Sequence, residues 1–192
     1  MRGLTSIFII LLLLSGCSSN PSLELIDATV EISNRSTGIS VSTGDKQGEI
    51  IQPISLSYHF VLKNTGKKTL GGMENINNDT FEVDDGINVY IEPNQLLKSV
   101  SEEIIGFNIY DEAELKKANL SVGKTSIPVI EPNQEGEYTF DLDLGAVEEN
   151  SEIRVAPSSQ QLDRLKKNAI DAALIVTIED EEVARFDLSN LN

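Results

Sequence analysis

Nucleophilic hydrolysis needs a serine, threonine or cysteine activated by an adjacent base, most often a histidine. This chain has one histidine, His59, and one cysteine, Cys17. His59 falls on the polar side of a strictly alternating segment, with Lys63 on the same side, and reads as a surface or inter-strand histidine. One thiol and one imidazole are too few for the Cys and His ligands of a structural zinc site. Carboxylates occur in pairs at Glu102-Glu103, Glu148-Glu149 and Asp84-Asp85. Glycosidase chemistry needs two carboxyls at a fixed separation inside a groove. None of these pairs is singled out, and they read as solvated turns and helix starts. No catalytic residue and no cofactor is assigned, and the chain is expected not to be an enzyme.

Hard cations are a separate question. Asn77-Asn78-Asp79 and Asp84-Asp85-Gly86 put oxygen ligands on loops flanking a short segment. Asp79, Asp84 and Asp85 are therefore the candidate calcium ligands. The spaced Asp-x-Asx-x-Asx-Gly order of a dedicated calcium loop is absent, and Asp-Gly is an ordinary turn pair. The leading reading is no metal site. Gly71-Gly72 is followed by Met73 and Glu74 rather than Lys and Ser, so it is not a phosphate cradle.

The start of the chain carries a different chemistry. Arg2 is the only charge before Glu24, and residues 7–14 form an apolar run that ends in Leu14-Ser15-Gly16-Cys17. A membrane-crossing helix needs about 20 apolar residues, so this run is too short. A positive start, a short apolar core and small residues at its end describe a secretory signal segment. Leu14-Ser15-Gly16-Cys17 resembles the lipobox of bacterial lipoproteins. The resemblance implies a diacylglyceryl thioether on Cys17 and cleavage between Gly16 and Cys17. It makes residues 1–16 a signal peptide, residues 17–22 a lipidated tether, and the location the extracytoplasmic face of the cell membrane. Burial of acyl chains contributes roughly 0.8 kcal/mol per methylene, and two chains hold a protein where one does not. Lipidation also accounts for a lone thiol in an exported chain.

Composition narrows the partners. The whole chain has 15 basic and 31 acidic side chains, and residues 1–16 contain Arg2 alone among them; residues 17–192 therefore carry 14 against 31, or −17. Such a surface does not suit a phosphate backbone, so nucleic acid is not expected. It should also stand off from anionic head groups, leaving the acyl chains as the membrane contact. No second cysteine exists to form a disulfide, so packing must hold the fold. The polar residues 18–22 reach under ~20 Å when stretched, which keeps the domain close to the bilayer.

The elements that would position any site read mostly as strands. Residues 54–63 alternate without a break: Ile54, Leu56, Tyr58, Phe60 and Leu62 on one face, polar residues and Val61 on a wet one. Asn64-Thr65-Gly66-Lys67 reads as a turn with Gly66 where positive φ is cheap. Ile26, Ala28, Val30 and Ile32 share a face, as do Tyr138, Phe140, Leu142 and Leu144. Residues 173–188 read as a hairpin turning at 179–182. Ser158 with Gln161 opens a helix carrying Leu162, Leu165 and Ala169, and Asp111 with Glu114 boxes a shorter one. Residues 95–110 are read as an irregular insertion ending in a strand, and 34–48 as a long polar loop with a small strand near 39–41.

Short antiparallel strands separated by polar turns predict a mainly β fold, a β-sandwich with one or two short helices in insertions. Asn64-Thr65-Gly66 closing one strand, and Pro132 to Gly136 leading into another, resemble bacterial immunoglobulin-like modules. With the lipobox, the chain is similar to uncharacterised lipoproteins of low-GC Gram-positive bacteria. Residues 23–192 are read as a single domain with an insertion near 93–128. The expected role is a non-enzymatic binding module with a protein partner in the cell envelope, a calcium- or small-ligand-binding lipoprotein being the alternative and a carboxylate-based hydrolase a minor one. The 34–48 loop and the 93–128 insertion are the expected partner surfaces.

Overall fold

The computed structural model describes residues 22–35, 38–76 and 83–190. One sheet is built from β1 (Leu23–Asn34), β4 (Ile54–Asn64), β7 (Glu135–Gly145) and β6 (Val122–Thr125), in that spatial order. The second runs β5 (Ile87–Pro93), β8 (Ala172–Ile178), β9 (Glu181–Asp187), and every pairing in both sheets is antiparallel. Four strands opposite three, in these orders, is the arrangement of a constant-type immunoglobulin sandwich. A small hairpin, β2 (Ile39–Ser40) with β3 (Ile50–Ile51), is inserted between β1 and β4. The mainly β expectation is met.

The inner faces follow the period-two pattern. Leu56, Tyr58, Phe60 and Leu62 of β4 meet Tyr138, Phe140, Leu142 and Leu144 of β7 and Ile87, Val89, Leu174 and Val176 of the opposite sheet in one core. Two details differ from the sequence reading. The register of β1 against β4 slips between Leu25 and Asp27, and the unpaired Ile26 is left 45 % exposed. Leu23 and Leu25 therefore face inward before the bulge, with Ala28, Val30 and Ile32 after it. The outer face of β4 is also not wet throughout. Ser55 and Ser57 are buried, because Asp143, Ser33 and Arg35 fold over that end of the sheet.

Residues 95–110 are the clearest correction. They form α1 (Gln95–Ile105) and a turn, with no closing strand. Asn94 Oδ1 accepts the Leu97 N–H at 3.0 Å, and Leu97, Val100, Ser101 and Ile104 bury one helical face. Gly106, at φ 96°, ends the helix in the left-handed region. The chain then doubles back so that the Ile109 N–H donates to Ser101 Oγ at 3.0 Å. Ile105 and Ile109 reach the core from a helix end and a turn, a spacing that imitates a strand. In α2 (Glu112–Lys117) Asp111 caps as expected, but Glu114 pairs with Lys117 instead of closing a box. In α3 (Ser159–Asn168) Gln161 Oε1 accepts from both the N–H and the hydroxyl of Ser158, and Leu162, Leu165 and Ala169 are buried. Tyr58 ties these parts together: its hydroxyl meets Tyr110 at 2.6 Å and donates to the Ala169 carbonyl at 3.0 Å. Burial, with Tyr110 beside it, pushes this phenol well above its ordinary pKa.

The sandwich has two unlike ends. At one, the chain enters: Ser22 O accepts from Thr65 N at 2.8 Å and Thr65 Oγ1 at 3.0 Å. Residues 65–76 and 83–86, the 126–134 connection and the two-residue turn Glu179-Asp180, both at positive φ, lie at this end. Gly71 (φ 76°) is required there, since a Cβ would sit 2.0 Å from the Pro128 carbonyl oxygen. Gly66 is not in the left-handed region; its N–H is instead drawn to Asn64 Oδ1 at 2.9 Å. At the other end are α1, α2, α3 and the β2–β3 arm, because β1, twelve residues long, delivers the chain there. That is about 35–40 Å from Ser22.

Candidate functional site: a groove at the far end

Beyond Asn34 the chain leaves the sheet as an arm that includes residues 38–53, its neck closed by Arg35 N donating to Pro53 O at 2.8 Å. Val41 N donates to Glu49 O, and Gly48 N to Val41 O, both at 2.9 Å, extending the β2–β3 hairpin. Facing it is the stretch that succeeds β7. Gly145, at φ 132°, lets that chain turn against the backbone of residues 154–156, where a Cβ would be 2.7 Å from Ala156 N and from Arg154 O. Ala146 N then donates to Arg154 O at 2.9 Å.

Between arm and stretch runs a groove of about 490 Å³ lined by Lys46, Glu49, Ile50, Ile51, Val147 and Glu148 among others. Ile50 is 74 % exposed and Val147 69 %. Lys46 forms an ion pair with Glu148, which raises the lysine pKa and lowers that of the glutamate. Lys46 also lines a second hollow of about 350 Å³ bordered by Asp45, Glu149 and Ser151. The two walls are clasped further out. Glu152 Oε1 accepts from Ser42 Oγ at 2.7 Å and Ser42 N at 2.8 Å, and Ser151 Oγ donates to Thr43 O at 2.7 Å. The Ser42 hydroxyl, followed by the Ser42 N–H, holds the Glu152 carboxyl below the usual range.

The base of the arm is fixed by a buried carboxylate. Asp143 Oδ2 accepts from Arg35 Nη1 at 2.9 Å, Ser121 Oγ at 2.7 Å and Ser121 N at 3.2 Å, while Oδ1 accepts from Ser55 Oγ at 3.0 Å. The Arg35 guanidinium lies over Gly123, where a Cβ would come within 3.0 Å of it.

The clasp should respond to acid in one direction. A carboxyl whose folded pKa is depressed stabilises the closed arm above the ordinary range, and that contribution is lost as pH falls through the folded value. Hydrogen-exchange protection of the Ser42 amide should therefore hold at neutral pH and fall only below the ordinary glutamate value of 4.5. Protection that disappears already above that value would show that Glu152 does not hold the arm.

The residues singled out from sequence fall in several places. Gly16, Cys17 and Asp79 lie outside the described residues. Asp85 closes a turn: its oxygens accept Glu74 N and Asn75 N, both at 3.1 Å; burial would raise its pKa, but the N–H groups of Asn75, Glu74 and Asp85 itself together lower it. Asp84 is its neighbour on that turn, and Asp84 N donates to Asn75 O at 2.7 Å. Among the described residues no three His, Cys, Asp or Glu side chains converge to hold a metal ion. His59 is half-exposed on the outer face of β4, its Nε2 3.4 Å from Glu31 Oε1. Of the paired acids, Glu103 meets Arg164 through two oxygens at 2.6 Å and Glu148 meets Lys46, so each reads as structural. The 34–48 loop contributes Lys46 to the groove. Helices α1 and α2 of the 93–128 insertion instead close the core, and its β6 is an integral strand. Ile50, Val147 and Glu148 are not legible as a site from sequence: of the Ile50-Ile51 pair only Ile50 is exposed, while Ile51 packs against the core.

Compared with protein-family models, curated proteins and solved structures, the chain matches none of them. Among the described residues no helix is long and apolar enough to cross a membrane.

Proposed function

We propose that the chain is a lipoprotein anchored through Cys17 on the extracytoplasmic face of the cell membrane, and that its domain is a non-enzymatic binding module. The groove at its far end is the binding surface. The observation that supports this reading is polarity: Ser22, where an anchor would attach, and the groove lie at opposite ends of β1. A lipid at one end presents the other to the envelope. The groove combines two exposed aliphatic side chains with Glu49 and the Lys46–Glu148 ion pair, and Asp45 and Glu149 stand nearby, which leaves it net negative. That composition suits an extended, cationic segment of a protein partner whose side chains alternate between charge and small apolar groups.

Mass spectrometry of the native protein tests the anchor: a diacylated N-terminal Cys17 is expected, and a free thiol there would defeat it. Titration of the full chain with the peptide Lys-Val-Lys-Val-Lys, blocked at both ends, tests the groove. Glu49→Lys and Ile50→Ser should each weaken binding by at least about tenfold, whereas Glu24→Lys, at the opposite end, should not. Equal binding of Glu-Val-Glu-Val-Glu, or indifference to the two groove variants, would refute the site.

A further inference from the structure

The exposed aliphatic side chains of the tether end have no role in the groove. Met73 is 63 % exposed, Ile76 57 % and Ile127 41 %. They come from two connections that the fold lashes together: Leu70 and Ile130 are bridged, and Ile87 N donates to Pro128 O at 3.0 Å. Lys67 and Lys68, both exposed, continue the Thr65–Gly66 turn on which Ser22 docks. What faces this end is set by the chain that leaves it. Four residues separate Ser22 from Cys17, a span of under ~20 Å even when extended.

We infer that this end is a membrane seat, with Met73, Ile76 and Ile127 resting in the interfacial layer of the bilayer and Lys67 and Lys68 against its head groups. The inference rests on the proposed anchor at Cys17. Aliphatic side chains at this depth leave water, and the lysine ammonium groups beside them reach lipid phosphates. A short tether raises the effective lipid concentration so far that a contact too weak to recruit the free domain is occupied once anchored. Glu74, Asp84, Asp85 and Glu131 lie on the same two connections, and Glu179, Asp180 and Glu181 lie at the turn of the opposite sheet, so the seat rests on burial of the aliphatic side chains and on the short tether rather than on net charge. The groove points away from the bilayer.

With Cys17 lipidated the chain has no other thiol, so an introduced cysteine is a unique label. The full chain, purified from its membranes, is reconstituted into phosphatidylcholine vesicles containing one quarter phosphatidylglycerol. Nitroxides are placed by Met73→Cys, Ile127→Cys and Val147→Cys in separate samples. Labels at 73 and 127 should collide severalfold more with oxygen, relative to a water-soluble nickel chelate, than the label at 147. Labels at 73 and 127 that match 147 in a chain that floats with the vesicles would overturn the seat alone. A chain that carries a free Cys17 thiol and does not float would overturn the anchor, and the seat with it.

Discussion

Replacing Asp143 with alanine is expected to lower the stability of the domain by about 3–5 kcal/mol, the cost of breaking a buried ion pair by removing one partner. Asp143 is fully buried and accepts four hydrogen bonds from Arg35, Ser121 and Ser55. Without it, a guanidinium only 18 % exposed loses its counter-ion, and two hydroxyls lose their acceptor. Small domains are held by about 5–15 kcal/mol in total, so the loss should be visible as a large shift in urea midpoint. The double variant Arg35→Met/Asp143→Leu should recover much of it, because replacing both charges removes the desolvation cost as well. A loss of less than about 1 kcal/mol for Asp143→Ala would place the pair with ordinary surface bridges.

Asn64 is the second sensitive point. Its side chain is fully buried, Nδ2 donates to Lys68 O at 2.8 Å and to Ile130 O at 2.9 Å, and Oδ1 accepts from Gly66 N at 2.9 Å. Asn64→Ala removes the donor to the Lys68 carbonyl, the acceptor of the Gly66 N–H and one of the two donors to the Ile130 carbonyl, which keeps the Leu70 N–H, and should cost about 2–4 kcal/mol. Asn64→Asp has the same shape but turns an acceptor toward two carbonyl oxygens, and should be worse at neutral pH. Such a carboxyl has a folded pKa raised above its unfolded value, so the folded state binds the extra proton and stability increases as pH falls. Chemical denaturation at several pH values should show Asn64→Asp approaching Asn64→Ala in acid. A pH-independent deficit would mean that the amide hydrogen bonds to Lys68 and Ile130 do not hold this turn.

Much of the sandwich was readable residue by residue. In β4 and β7 the alternation survives because one face meets the opposite sheet along its whole length, and α3 carries both its box and its apolar stripe. The bulge at Ile26 was hidden, since Ile26 fits the apolar alternation of its neighbours and only the pairing with β4 decides which of them turns outward. Helix α1 was hidden for a related reason: Ile105, Phe107 and Ile109 alternate, but Gly106 turns the chain between the first and the others. The groove was hardest to foresee. Lys46 and Glu148, or Ser42 and Glu152, are about a hundred positions apart, and no spacing rule joins them. Asp143 likewise reads as a solvent-facing acid until the arm folds over it.

The slip at Ile26 has a consequence for crowding. A twelve-residue strand at the rim of a sheet is a ready template on which a neighbouring copy could zip up edge to edge. The kink breaks that template after its first few residues, and Glu24, Asp27 and Glu31 along it would meet their own kind in any such pairing. Edge-to-edge pairing of neighbouring copies along this strand is thereby disfavoured.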